Sequence, residues 1–249
     1  MKVSEEEKAK TRLRLLEAAV DVITQKGFRA ASMREIAKRA GVGDATIYNY
    51  FPSKEKLIYG YCEEVQRKVM AELRAIEQFH EYTLGEQLQQ LIEVELQIWL
   101  PAREFLQQIF RHTLSSPMSA YEQLAVARDL NMRMVVDLLD AAIEAEEIPE
   151  QPYRELLPRL FWDYQSGIIA YWLRDDSEGF AHTTELVDRS IELLIGLLQL
   201  GLVGKTLNLI SFVFRTHVMS RLEQFSDLKG ALHKTKRRFM EGVGNESGS

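Results

Sequence analysis

At 249 residues and 46% hydrophobic content the chain can bury a sizeable core in one large or two modest domains. No run reaches the roughly 18 uninterrupted apolar residues of a membrane span, and the opening Met1-Lys-Val-Ser-Glu-Glu-Glu-Lys8 lacks the apolar stretch of a signal peptide. The single cysteine, Cys62, excludes an internal disulfide, so a cytoplasmic protein with no membrane partner is expected. The net charge of −6 argues against a chain that binds nucleic acid along its whole length. However, residues 1–56 hold twelve Lys/Arg against eight Asp/Glu, a balance of +4, and the rest carries −10. A basic N-terminal module on an acidic body suits a protein that touches phosphates at one end only.

Helical periodicity recurs throughout and alternating β-rich runs are scarce, which predicts an all-α fold. The spacing of Leu13, Leu16, Ala19, Val20 and Ile23 predicts a helix from about Ser4 to Lys26, with Gly27 as a left-handed stop. Ser32 opens a second helix through a capping box with Glu35. After the Ala40-Gly41-Val42-Gly43 corner, Thr46 to Phe51 fit a short third helix. Ile36, Ala37, Ala40, Val42, Ile47 and Phe51 are the inward set of this helix-turn-helix. Ser53 caps a fourth helix running through Leu57, Tyr61, Val65, Val69 and Leu73 towards Ile76.

Thr83-x-x-Glu86 is a second capping box, for a helix through Trp99 that Pro101 breaks. A short helix over about 102–113 follows. Ser119-x-x-Glu122, a third capping box, starts a long helix ending in the acidic run near Glu144–Glu147. Further helices are predicted over about 153–174 and 183–203, the latter capped by Thr183 or Thr184, and a final amphipathic segment uses Leu207, Ile210, Phe214 and Val218. The basic run 233–238 reads as a solvated tail. The expected domains are a helix-turn-helix head over 1–52, a helical body over 53–203 and an extension over 204–249.

Residues 32–57 resemble the signature of the tetracycline-repressor (TetR) family. The match rests on Arg34, Ile36-Ala37, Ala40-Gly41-Val42, Thr46-Ile47-Tyr48, Tyr50-Phe51, Ser53-Lys54-Glu55 and Leu57. The resemblance implies binding to double-stranded operator DNA. Thr46, Tyr48 and Tyr50 would donate hydroxyl hydrogen bonds to phosphates, with Lys54 placing a charge beside them. Base reading would fall to Arg34, which can pair with guanine, and Asn49, which suits adenine. Ser32 is counted with this DNA-facing set, and Gly43, Asp44 and Ala45 form the tip that enters the major groove. At that tip the chain departs from the family, which most often has Ser in place of Gly43 and Gly in place of Ala45; Asp44 is the expected substitute cap.

The resemblance further implies a homodimer through the helices near 153–174 and 183–203, where Gly167-x-x-Ala170 and Gly196 permit close approach and Leu160, Ile168, Leu194 and Leu198 offer apolar area. It also implies a cavity for a small apolar or amphipathic effector of unknown identity, with Trp99, Phe105, Phe110, His112, Met118, Tyr121, Met132, Met134, Trp162 and Tyr164 as candidate wall. An ordinary core role accounts for each of these side chains as well. No enzyme activity, metal site or required cofactor is expected. Gly201-Leu-Val-Gly204-Lys205-Thr206 has Gln199 where a phosphate loop needs glycine, and the histidines have no zinc spacing. The resulting expectation is a ligand-responsive transcription regulator, a repressor first and an activator or dual regulator second. A helical small-molecule binder without operator recognition is the rival class.

Overall fold

A computed structural model describes residues 4–113 and 121–202, nearly all of them within the compact unit spanning residues 1–199. Every regular element among the described residues is helical: α1 (Glu5–Lys26), α2 (Met33–Arg39), α3 (Asp44–Tyr50), α4 (Lys54–Ala75), α5 (Leu84–Trp99), α6 (Arg103–Thr113), α7 (Ala125–Glu144), α8 (Leu157–Trp172) and α9 (Ala181–Gln199), with 3-10 turns at 79–81, 100–102 and 178–180. The all-α expectation holds.

Local chemistry sets most boundaries. Ser4 accepts from the Glu7 amide to start α1, and Gly27 ends it with φ of +83°, a conformation that costs glycine little. Both halves of the Ser32–Glu35 and Thr83–Glu86 capping boxes form. The start of α5 has a further partner, because the Glu147 carboxylate beyond α7 accepts from the Leu84 amide at 2.8 and 3.0 Å. Leu84, Leu88, Leu91 and Ile92 of this helix are fully buried, each contributing about 1.5–3 kcal/mol. Burial therefore outweighs the ~1 kcal/mol of a cap and holds α5 in place.

Three expectations need correction. The helix expected from residue 153 begins at Leu157, because Pro158 is tolerated only in a first turn; deeper in a helix its ring would clash with the preceding turn. Thr183 does not cap the last helix. It lies inside α9, and the Asp175 carboxylate accepts from its amide at 2.8 Å and its hydroxyl at 2.6 Å, while Ser177 accepts from the His182 amide. The Ser177 hydroxyl also donates to Asp175 Oδ1 at 2.6 Å, and this bond, with that of the Thr183 hydroxyl, holds the Asp175 carboxyl well below the usual carboxylate range. Nor does Asp44 cap α3: Gly43 occupies the cap position without a side-chain bond. Ser119, Met118 and the segment beyond residue 202 lie outside the described residues.

α4 is the organising element. It packs against α1 at its head end and against α5 and α7 further along; α7 in turn packs on α8, and α9 covers α5 and α8.

Candidate DNA-binding head and effector core

Within the head, Ile36, Ala37, Ile47 and Phe51 are buried beneath α2 and α3, together with Leu15, Leu16 and Ile23 of α1 and Leu57 of α4. With Ile47 and Phe51 facing in, the one-turn spacing of α3 leaves Asp44, Ala45, Tyr48 and Asn49 on the outer face, all exposed, while Thr46 and Tyr50 are half-buried at its flanks. Tyr48 is 55% exposed, unusual for so large a ring. Arg34 joins this face through a 3.3 Å ion pair from its Nε to Asp44. Ser32 is occupied by its capping box, where Glu35 also pairs with Lys26. That pairing and the Ser32 bonds lower the Glu35 carboxyl to about 2.

Lys54 has a different occupation from the one expected. Its ammonium donates to the carbonyls of Phe28 and Ala31 at 2.5 Å each and lies 4.6 Å from the Phe28 ring centroid. It staples the first turn of α4 to the α1–α2 loop. Two more contacts lock the head onto α4. Arg12 of α1 bridges to Glu63 and Glu64 at 3.2 and 3.3 Å, with its guanidinium over the Phe51 ring. Gly60 lets the Phe51 ring approach so closely that a Cβ there would stand 2.8 Å from it. From the body, Gln108 of α6 donates to the Thr24 carbonyl near the end of α1 at 3.2 Å.

The expected effector residues are not gathered round one described cavity. Trp99 and Phe105 are buried and share an aromatic cluster with Tyr61, each ring centroid 5.5 Å from its own. Phe110, Met132 and Trp162 are half-buried. Tyr121 lies under the guanidinium groups of Arg128 and Arg159, and Tyr164 shares a 2.6 Å hydrogen bond with Ser190 of α9. His112 belongs to α6, but its side chain is outside the described set. A cleft of about 240 Å³ between α5 and α9 is lined instead by Ile92, Leu96, Trp172, Phe180, Thr183 and Val187. Another, of about 180 Å³, lies between α4 and α7 at Met70, Leu73, Phe79 and Met134.

On α8 and α9 the residues expected at a dimer interface divide. Ile168 and Leu198 are buried within the chain, and Leu160, Ala170 and Leu194 are half-buried. The exposed apolar side chains are Tyr171, Leu186 and Leu193, the last 66% exposed, and a Cβ added at Gly167 or Gly196 would meet nothing within 4 Å.

Residues 15–59 match the family described as "Bacterial regulatory proteins, tetR family", and residues 87–213, half of the chain, match "Tetracyclin repressor-like, C-terminal domain". The chain belongs to the TetR family. The HTH-type transcriptional regulator UidR of Escherichia coli (strain K12) is 38% identical over 64 residues, 26% of this chain and 33% of UidR. The chain thus spans about a third of the length of the curated relatives that lead the comparison. Among solved structures, Salmonella enterica GusR superposes with a TM-score of 0.59 at 23% identity, covering 80% of this chain and 99% of GusR. FadR from Bacillus subtilis, solved in complex with stearoyl-CoA, gives 0.57 at 20% identity, covering 76% and 98%. These likenesses extend the TetR fold through the body.

The TetR resemblance points to aromatic and methionine side chains and not to the polar residues buried in the same body. Gln66, Glu95, Asn131 and Gln165 are all buried in the body. Glu95 and Gln66 stand at positions that helical periodicity assigns to the apolar face of α5 and α4. A polar residue at an apolar-face position is the signal that the sequence carries for this group.

Proposed function

We propose that the chain is a ligand-responsive repressor. In this reading it acts as a homodimer whose two heads bind the half-sites of a palindromic operator, and a small, largely apolar or amphipathic effector releases it. The observation that carries the DNA-binding part is the outer face of α3, where Tyr48 and Asn49 stand exposed above a buried Ile47 and Phe51. Thr46, Tyr48 and Tyr50 grip phosphates, and Arg34, Gly43, Asp44, Ala45 and Asn49 meet base edges, with the Arg34–Asp44 pair opening so that each can find its own partner. Ser32 and Lys54 act by holding α2 and α4 in position. Tyr171, Leu186 and Leu193 supply the apolar face for the second subunit, and the twofold relation sets the operator's symmetry.

The structure of FadR from Bacillus subtilis in complex with stearoyl-CoA supports the reading that this chain, too, takes a small-molecule ligand. The head occupies 1–52, the effector and dimerisation body 53–203, and an extension 204–249. α4 is the coupling element: it carries the Lys54 staple and the Gly60–Phe51 contact at one end and enters the core at the other. An effector changes operator affinity only through its preference for one position of α4 over another.

The experiment is fluorescence anisotropy on a labelled 30-base-pair duplex (about three turns) over a salt series. Affinity should fall steeply with salt, as counterion release requires. Tyr48→Phe should weaken binding to all sequences alike, and Lys54→Met should leave the salt slope unchanged. A flat salt response, or full affinity in Tyr48→Phe, contradicts the phosphate assignment.

A further inference from the structure

The interior of the body holds a polar arrangement that apolar packing does not require. Gln66, Glu95, Asn131 and Gln165 come from α4, α5, α7 and α8 in turn, and Asn131 is fully inaccessible. Their side chains close a ring of hydrogen bonds. Gln66 Nε2 donates to Glu95 Oε1 at 2.6 Å, and Gln165 Nε2 donates to Glu95 Oε2. Asn131 Nδ2 completes it, donating to Gln165 Oε1 at 2.8 Å and Gln66 Oε1 at 3.3 Å.

The ring is out of balance in two ways. A buried carboxylate is costly without a cation, and the side chains bonded to Glu95 are two amides and the Trp99 indole, whose Nε1 donates at 3.4 Å. Burial accordingly pushes the Glu95 carboxyl up to about 7. In addition, the Oδ1 of Asn131 is buried with no hydrogen-bond partner. Thus the core offers a negative charge without a counter-charge and an acceptor without a donor. Beside them stands an aromatic wall: Trp99, bonded to Glu95, packs on Tyr61, and Tyr61 meets Phe105 edge-on.

We propose that this ring recognises an amine: an effector carrying a protonated primary or secondary ammonium on an apolar body. The inference rests on the reading that the body binds a small effector, and it names that effector's chemistry. The ammonium displaces one of the glutamine amides from Glu95, donates a second N–H to Asn131 Oδ1, and lies against the faces of Tyr61 and Trp99, where a cation is favoured. Its apolar part extends along Phe105. An anionic head group of the same shape would face an uncompensated carboxylate and is rejected. Because Gln66 belongs to α4, only six residues or about 9 Å beyond Gly60, opening the ring acts on the helix that holds the head.

The test is calorimetric titration of the full-length protein, without DNA, using three probes of matched shape: 2-phenylethylamine, 2-phenylethanol and 3-phenylpropionate. At pH 8 the amine should bind at least about tenfold tighter than the alcohol, and the acid should not bind. Between pH 6 and 8 the amine's affinity should rise about tenfold as Glu95 ionises. Among the groups facing Glu95, Gln66, Asn131, Gln165 and Trp99 do not titrate, and the Cys62 thiol, pushed up to about 12 by burial and by Glu95 and Glu63, stays neutral. In Glu95→Gln, checked for folding by circular dichroism, the pH dependence should vanish and the amine should fall to the level of the alcohol. If that variant does not fold, the probe comparison and pH series on the wild type decide. No amine binding, or equal or tighter binding of the alcohol or the acid, overturns the proposal. Duplex binding is measured separately. A chain that binds the amine but no duplex upholds this inference and defeats the operator reading; one that binds duplex but not the amine defeats this inference alone.

Discussion

Single residues divide the sequence's legible content from what only packing reveals. Ser32, Ser53 and Thr83 act as caps where the sequence places them, because capping depends on a few neighbouring residues. Lys54 reads from sequence as a cation free to meet phosphate. Its ammonium is instead consumed by two carbonyls some 25 residues away in the chain, a partnership that no local pattern encodes. Glu95 shows the same limit in the core and carries a testable consequence. Its carboxyl is raised in the folded protein to about 7 from an ordinary value of 4.5. The folded state therefore holds the proton more tightly than the unfolded chain. That contribution is fully present below about pH 4.5 and lost as pH rises through about 7, roughly 3 kcal/mol in all. Urea unfolding from pH 4.5 to 8 should show this decline superimposed on other titrations, and Glu95→Gln should flatten it.

At the scale of elements, the helix-turn-helix and α4 follow from periodicity and capping, whereas the starts of α8 and α9 do not. Pro158 delays α8 by four residues, and Asp175, separated from α9 by a turn, starts that helix ahead of the expected threonine. Both effects are steric or tertiary, and hydrophobic spacing is blind to them. The joint between α3 and α4 is similarly tertiary: the Phe51 ring takes the space that a side chain at position 60 would fill. Gly60→Ala should displace that ring and cost about 1–3 kcal/mol. Thermal unfolding would register the loss, and affinity for duplex DNA should fall more than the unfolded fraction alone accounts for. An alanine variant with unchanged melting and unchanged affinity would show that the contact is dispensable.

For the whole molecule, the charge asymmetry between the first 56 residues and the rest already separates a basic N-terminal end from an acidic body. It does not locate the contact surface of the proposed dimer. Apolar helix faces look alike in sequence whether they meet their own chain or another. Ile168 and Leu198 proved intrachain, whereas Tyr171, Leu186 and Leu193 remain exposed. Leu193→Glu should leave the fold intact and convert the protein to monomers in sedimentation velocity. Affinity for a two-half-site duplex should drop to about that for one half-site, since joint engagement of two heads multiplies their affinities. A dimer surviving that change would move the interface elsewhere.

The proposed operator recognition requires the α3 face to select a sequence in a twofold arrangement. Its most direct measurement is selection of bound molecules from a pool of random duplex DNA with the full-length protein. Enrichment of an inverted repeat is expected, with half-sites one helical turn, or a multiple of it, apart and with the enrichment lost in Asn49→Ala at a single position per half-site. A pool that stays random after repeated rounds, or that enriches only one unrepeated site, would contradict it.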